Sequence, residues 1–108
     1  MSRPALTGLV LIGTLTVPLL CSAGGVLAVT QKSRAFSTRE ANVTRGTTVH
    51  FGNEDDYPHQ IRVTGPGLDF ESDLQASGEV VNVTLVAPGV YEVRCGIHPR
   101  MRMTISTH

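Results

Sequence analysis

The stretch Tyr91-Glu92-Val93-Arg94-Cys95-Gly96-Ile97-His98-Pro99-Arg100-Met101 is the most informative part of this chain. Its first half alternates apolar and charged residues, with Tyr91 and Cys95 on the same side, which is the period of a half-buried strand. Its second half lacks that alternation and carries His98 and Met101 shortly after Cys95. A strand that ends at Cys95 therefore enters a short loop, which can return two more potential metal ligands to the strand end.

A distant histidine completes a recognisable set of metal-binding side chains. His59 follows Pro58 after a polar segment and supplies a second imidazole. One thiolate, two imidazoles and a thioether form the ligand set of blue-copper electron-transfer sites, because imidazole suits Cu(II) and sulfur suits Cu(I). We therefore predict one bound copper. The predicted ligands are His59, Cys95, His98 and Met101.

The strand period also orients these side chains. His59 has the parity of Ile61, and Met101 has the parity of Met103, so we expect them to face the core at the same end as Cys95. Met103 is the alternative axial ligand. Met101 is preferred, since an inward methionine within a strand is more often a packing residue than a ligand.

At this point the chain resembles the cupredoxin family, from Phe36 to His108. The pattern Cys95-x-x-His98-Pro99-x-Met101 carries the resemblance, together with the segment Asn53-Glu54-Asp55-Asp56-Tyr57-Pro58-His59. Two residues separate Cys from His and His from Met, which is similar to the short-loop, amicyanin-type members. The resemblance implies a type 1 copper protein with a Greek-key β-sandwich or barrel.

Two positions depart from the family pattern. Gln60 stands where the family usually has Asn, whose side chain ties the two ligand loops together. Ile97 stands where many relatives carry Pro, so an additional backbone N–H is available near the sulfur of Cys95. These departures concern the hydrogen bonds that tune a metal site.

The rest of the chain after Thr30 predicts an all-β domain. Apolar residues alternate with polar ones from Val81 to Leu85, and no segment has a sustained helical period. Short strands separated by Gly- and Pro-containing turns are typical of a sandwich or barrel. The segment from Leu68 to Gly78 is interpreted as a polar connection. His50 is expected to face solvent.

The N-terminal quarter predicts an export signal. An uncharged, apolar run extends from Pro4 to Thr30. We assign residues 1–28 to a signal peptide and 29–108 to the copper-binding domain; cleavage after Ala23 and an uncleaved membrane anchor remain alternatives. Removal of the segment would leave Cys95 as the only thiol, which an oxidising compartment tolerates when it is buried or metal-bound. The protein is expected outside the cytoplasm or in the periplasm, and tethered to the membrane if the segment is retained.

Charge is balanced overall. The chain has 9 basic and 9 acidic residues. Loss of residues 1–28 would remove one charged residue, Arg3. Nothing in this composition favours nucleic acid binding. Acidic residues precede His59, whereas basic residues surround Cys95 and His98, and both docking and ordinary solvated surface explain this pattern. The basic residues are Arg94, Arg100 and Arg102.

The function predicted from these observations is one-electron transfer between redox partner proteins. The alternative is copper binding and delivery without an electron-transfer role. An enzyme with Cys95 as nucleophile is not favoured, because neither an orienting acid nor an oxyanion-binding loop is evident. We expect a monomer without a small-molecule substrate.

Overall fold

The computed structural model describes residues 24–108, and this part of the chain is all β. The strands are β1 (Val26–Lys32), β2 (Ala35–Phe36), β3 (Glu40–Val43), β4 (Thr47–Asn53), β5 (Ile61–Gly65), β6 (Leu68–Glu71), β7 (Val80–Leu85), β8 (Gly89–Cys95) and β9 (Arg102–Thr107). Within residues 24–108 there is no helix of the length and hydropathy that a membrane span requires.

The strands form two sheets that pack as a sandwich. One sheet has the order β2-β1-β4-β7, and the other has the order β3-β9-β8-β5-β6. β1 lies parallel to β4 and β3 lies parallel to β9, while the other neighbours are antiparallel. The chain therefore crosses between the sheets after β2, β3, β4, β6 and β7. The predicted all-β sandwich with Greek-key connections is confirmed.

The core consists of the side chains that alternate inward along these strands. Val49 and Phe51 of β4 face Ile61 and Val63 of β5 across the sandwich, and all four are fully buried. Burying an aliphatic or aromatic side chain of this size contributes about 1.5–3 kcal/mol relative to exposure. The core thus holds the two sheets together and fixes where their ends lie.

The inward orientation predicted from strand parity for His59, Cys95 and Met101 is confirmed. The exposed fraction is 0% for His59 and 2% for both Cys95 and Met101. His50 occupies the opposite face of β4 and is half-buried between neighbouring strands.

The prediction that Leu68–Gly78 is only a polar connection is wrong. Its first residues form β6, which pairs with β5 so that Phe70 lies opposite Val63. Phe70 packs against the core, while its neighbours Asp69 and Glu71 are exposed. The strand was missed because its alternation covers only four residues.

β1 begins inside the segment that sequence analysis assigned to the signal peptide. Residues 1–23 lie outside the described part of the chain, but Val26, Leu27 and Ala28 pair with consecutive residues of β4. The Thr48 N–H also donates to the Gly25 carbonyl at 3.0 Å. A cut after Ala23 would leave β1 whole, whereas a cut after Ala28 would remove its first three residues. We therefore propose Ala23 as the boundary.

The first prediction concerns this boundary. A form of the protein that begins at Val29 should be less stable than one that begins at Gly24 by about 1–3 kcal/mol, because three cross-strand pairs are lost. Urea unfolding followed by far-UV circular dichroism measures the difference. A form that begins at Val26 is the control, since it keeps β1. Equal stability of the Gly24 and Val29 forms would contradict the assignment of residues 26–28 to the fold.

Candidate metal centre

Three of the predicted ligands meet at one end of the sandwich. In the antiparallel pairing of β5 and β8, Ile61 lies opposite Cys95, so His59 at the approach to β5 comes beside the end of β8. The loop after β8 then turns back with His98. Cys95 Sγ lies 3.6 Å from His59 Nδ1 and 3.7 Å from His98 Nδ1, and the two nitrogens are 3.1 Å apart.

This triangle has the size that a metal ion requires. A point in its plane lies about 2 Å from all three atoms, close to the roughly 2.0–2.3 Å bonds that zinc makes to imidazole nitrogen and thiolate sulfur. The three residues form the candidate metal-binding group found among residues 24–108. Two imidazole nitrogens and a cysteine sulfur that converge in this way can bind one cation between them.

The protonation state of His98 also suits metal binding. Burial lowers the pKa of His98 below its ordinary value, and the nearby His59 and Arg34 lower it further, whereas Asp55 acts in the opposite direction. A lowered pKa favours the neutral imidazole, which is the form that binds metal.

The loop that carries His98 also brings Met101 into the same layer. The Met101 N–H donates to the His98 carbonyl at 2.9 Å, and the Cys95 N–H donates to the Met101 carbonyl at 3.3 Å. Met101 therefore lies opposite Cys95, whereas Met103 lies opposite Val93, one step deeper in the core. Of the two buried methionines, Met101 is in the layer of the other candidate ligands.

Asp55 fixes the orientation of His59, a role that the sequence did not reveal. Its Oδ2 accepts a hydrogen bond from His59 Nε2 at 2.7 Å, and the two oxygens accept the backbone N–H groups of Ser33 at 2.6 Å and Arg34 at 3.3 Å. Burial opposes ionisation of this carboxyl, but the hydrogen bonds from His59, Ser33 and Arg34 outweigh it and lower the pKa of Asp55 to about 2. With Nε2–H donating to a carboxylate, the Nδ1 lone pair of His59 points toward Cys95.

The same carboxylate stabilises an unusual hairpin turn. Ser33 and Arg34 connect β1 to β2 with φ angles of 55° and 57°. The left-handed region costs about 1–2 kcal/mol per residue other than glycine. Because Asp55 accepts the N–H groups of both residues, the turn and the orientation of His59 depend on one buried group.

The two departures from the family pattern have a structural outcome. The Gln60 side chain donates to the Ser72 carbonyl at 3.0 Å instead of bridging the ligand loops. The backbone of Gln60 makes that bridge: its carbonyl accepts the Gly96 N–H at 3.0 Å, and its N–H donates to Cys95 Sγ at 3.4 Å. The hydrogen bond to sulfur thus comes from Gln60, and not from Ile97 as the sequence suggested.

Glycine at position 96 leaves room for the Gln60 side chain. A Cβ at Gly96 would collide with Oε1 of Gln60.

Hydrogen bonds from buried Asn and Gln residues hold the loop that carries His59. Gln75 exchanges two backbone hydrogen bonds with His59, at 3.0 and 2.7 Å, and its side chain accepts a hydrogen bond from Gln31 at 2.8 Å. Asn53 Nδ2 donates to the carbonyls of Tyr57 and Gln75 at 2.9 and 3.0 Å. The sequence did not predict these hydrogen bonds, because most of the partners lie far apart along the chain.

Tyr57 lies against both imidazoles. Its ring makes edge-to-face contacts with His59 and His98, at centroid separations of 5.5 and 5.6 Å. The Arg34 guanidinium lies over the Tyr57 ring, 4.9 Å from its centroid. The tyrosine therefore restricts the two histidines on the side that faces the β1–β2 turn.

The sequence profile described as "Copper binding proteins, plastocyanin/azurin family" matches residues 23–107. The chain belongs to this family of copper-binding cupredoxins. The residues present also fit the metal, because a thiolate and two imidazole nitrogens already converge on one point. The prediction of a copper cofactor is confirmed at the level of the family.

Individual relatives of this cupredoxin agree with that membership. Amicyanin-alpha of Methylorubrum extorquens is 33% identical over 70 residues, covering 62% of this chain and 59% of that protein. Chloroplastic plastocyanin of Hordeum vulgare is 34% identical over 89 residues, covering 74% and 53%. Plastocyanin of Ulva pertusa is 32% identical over 85 residues, covering 68% and 87%. The cupredoxin thus spans between half and two thirds of the length of the first two relatives.

Solved structures share the fold. A Cu(I) structure of an amicyanin mutant superposes with a TM-score of 0.71 at 21% identity, over 77% of this cupredoxin and 82% of the amicyanin chain. A Cu-containing nitrite reductase from Thermus scotoductus gives a TM-score of 0.69 at 29% identity. That match covers 76% of this chain but 22% of the reductase, so the likeness is to one part of a larger protein.

The second prediction tests the role of Asp55 in this cupredoxin. Asp55→Asn should lower copper affinity by about 10- to 100-fold, the usual effect of removing a group that orients a metal ligand. An amide NH₂ in place of the carboxylate would donate to His59 Nε2 and move the ring proton to Nδ1, where the metal binds. Competition titration with a chelator measures the affinity. Asp56→Asn is the matched control, because Asp56 is exposed; equal affinities for the two variants would refute the role.

Proposed function

We propose that this cupredoxin is an exported one-electron carrier in which His59, Cys95, His98 and Met101 would hold copper, with Met101 as the weaker, potential-tuning ligand. The observation that carries the proposal is the convergence of two imidazole Nδ1 atoms and one thiolate sulfur, each at most 3.7 Å from the others. Met101 is included because its backbone pairs with Cys95 and its side chain is buried in the same layer.

Copper bound there would supply a centre that gains and loses one electron without protons or substrate. The protein's contribution is rigidity. Asp55 orients the ring of His59, and the neighbours of β8 position Cys95, so these two donors would move little when an electron is exchanged. A site that moves little on electron transfer exchanges electrons rapidly, which suits a carrier.

Electrons would enter and leave through His98. Of the four proposed ligands, His98 is half-exposed, whereas the others are at most 2% exposed. Ile97 and Pro99 flank it on the surface, and the side chain of Ile97 is 42% exposed. A small apolar surface around the exposed imidazole would bring a partner close while water is excluded from the contact.

The burial of Cys95 supports a carrier over an enzyme. A nucleophilic cysteine must reach its substrate, but this thiol is 2% exposed and is covered by the two imidazoles. The proposal therefore contains no catalysed reaction on a small molecule. The same enclosure argues against the alternative of copper delivery, because donors fixed by β5, β8 and Asp55 favour retention of the metal.

The proposed carrier is an exported, processed domain. Processing after Ala23 would release a domain that begins just before β1, and Cys95 would be its single thiol. We propose that this domain acts as a monomer outside the cytoplasm between a donor and an acceptor redox protein. If the N-terminal segment is retained, the domain would work tethered to the membrane.

The third prediction tests the copper site by its colour. The copper-loaded, oxidised protein should absorb intensely in the visible range, because a Cys95 thiolate bonded to Cu(II) gives strong charge transfer. Cys95→Ser should abolish this absorption. Cyclic voltammetry should show one reversible one-electron wave. A colourless wild type under oxidant, or a protein that binds copper but does not cycle, would overturn the carrier function and favour delivery.

The fourth prediction separates the two buried methionines. Met101→Ala should change the visible spectrum and shift the reduction potential, since the axial ligand tunes both. Met103→Ala should keep the spectrum and destabilise the fold by about 2–5 kcal/mol, as for truncation of a buried methionine. Spectroscopy and urea unfolding of both variants give the comparison. The reverse pattern would identify Met103 as the axial ligand.

A further inference from the structure

Two adjoining surface depressions beside the metal centre are lined by arginines. One, of about 370 Å³, is lined by the loop from Ile97 to Met101 together with Arg34. The other, of about 300 Å³, shares Arg34, Arg100 and Met101 and extends over β2. We call the arginines that line the two depressions the arginine rim. The arginine rim consists of Arg34, Arg39, Arg100 and Arg102.

Most of the charge on the arginine rim is unpaired. Arg102 donates to Glu92 at 3.0 Å, and Glu92 also lies 3.9 Å from Arg94. Within residues 24–108, no carboxylate lies within 4.0 Å of the other three guanidinium groups of the rim. All three are exposed, and neither depression is lined by an acidic residue. The rim therefore presents three exposed guanidinium groups without an ion pair on one side of His98, and Arg39 also lines a neighbouring depression with Glu40 and Glu92.

Arg34 connects this charge to the proposed ligands. Its left-handed backbone is held by the hydrogen bond to Asp55, and its guanidinium lies on the ring of Tyr57. Tyr57 in turn contacts the His98 ring. The orientation of Arg34 is thus fixed by contacts within the protein, which lowers the entropy lost when it binds a second group.

The chemistry of the rim selects its partner. Guanidinium groups form bidentate hydrogen bonds with carboxylates, and a fixed, unpaired set of them attracts a surface rich in Asp and Glu. The rim lies beside the apolar surface of Ile97 and Pro99, which gives the apolar centre and polar margin of a small, transient interface. A free small anion would use the guanidinium groups but not this apolar surface.

We propose that the unpaired arginines of the rim, Arg34, Arg39 and Arg100, dock a redox protein whose electron-transfer site is bordered by Asp and Glu carboxylates. This inference rests on the proposed electron-carrier function and adds the kind of partner. It assigns docking to Arg34, Arg39 and Arg100, whereas Arg94 and Arg102 are engaged by Glu92.

The first experiment measures electron-transfer rates with small redox reagents of opposite charge. The oxidised copper protein is mixed by stopped flow with hexacyanoferrate(II), an anion, or with hexaammineruthenium(II), a cation. The double variant Arg39→Glu/Arg100→Glu should lower the rate with the anion at least about tenfold at low salt, in the range of electrostatic steering. It should raise the rate with the cation, and both effects should shrink at physiological salt, where the screening length is about 8 Å.

The matched control is Arg45→Glu. Arg45 is exposed in the turn before β4, at the opposite end of the sandwich, and its substitution makes the same charge reversal as each of the two substitutions in the double variant. Rates for this control should stay within about twofold of wild type at both salt concentrations, since steering by exposed charges is screened over distance. A double variant that behaves like the control would overturn the docking proposal.

The second experiment distinguishes an acidic protein surface from a small anion. Copper(I)-loaded protein is titrated with poly-L-glutamate and with inorganic phosphate, and backbone amide shifts are followed by NMR. Poly-L-glutamate should shift the amides of Arg34, Arg39 and Arg100 at lower concentration than phosphate and should also shift Ile97. If phosphate binds as strongly as poly-L-glutamate and the amide shift of Ile97 does not change, the docking proposal is wrong and the arginines form a small-anion site.

These outcomes are separable from failure of the carrier function. Loss of reversible copper reduction would refute the carrier, while the NMR titration would still report on the rim. Normal voltammetry with no response of the rim to either probe would refute the docking surface and leave the carrier intact.

Discussion

The register between β5 and β8 is the constraint on which the metal centre depends. Ile61 lies opposite Cys95, so His59, two residues earlier, reaches the end of the sandwich where the thiolate is located. A shift of one residue would turn every side chain of β5 to the other face. Because Ile61 and Val63 are fully buried, such a shift would also expose the core. The packing energy of the sandwich therefore protects the geometry of the site.

Asp55 extends this constraint to the other sheet. The carboxylate joins the β1–β2 turn to His59, and β1 belongs to the sheet that does not carry Cys95. A buried carboxylate without hydrogen-bond donors would be strongly destabilising. Asp55 therefore orients the turn and the imidazole of His59, and it also needs their N–H groups as donors. The left-handed residues Ser33 and Arg34 are tolerated because the same group accepts their N–H groups. Ligand orientation and a strained surface turn are thus parts of one hydrogen-bond network.

The arginines near His98 fall into two groups, those paired with Glu92 and those without a nearby carboxylate. Glu92 binds Arg102 and approaches Arg94 on the outer face of the β8–β9 pair, while Arg34, Arg39 and Arg100 have no carboxylate that near within the described chain. Surface ion pairs contribute little to stability, with typical values of about 0–1 kcal/mol. Their effect here is to decide where positive charge remains available. The sequence showed basic residues near the predicted ligands, and the structure shows which of them are paired with Glu92 and which are not.

The sequence by itself determined the features that depend on local patterns. The alternation along β8 and the short spacing from Cys95 to Met101 predicted the strand, the returning loop and the inward thiolate, and parity predicted the burial of His59. Strand period and loop reach are properties of neighbouring residues, so they can be read without knowing the fold. The family pattern, the all-β class and the copper cofactor followed from the same residues.

Tertiary structure alone decided the features that need partners distant in the chain. Asp55 looked like one of three surface acids until the turn at Ser33 and Arg34 supplied its donors. Gln60 departed from the family pattern in its side chain, yet its backbone still bridges the ligand loops. The start of β1 was not recognised because it lies in an apolar run, and both strands and export signals are rich in apolar residues. Its pairing with β4 identifies it as a strand. A hydrogen bond or a strand pair is a property of two segments, and a single sequence states which groups are available but not which of them meet.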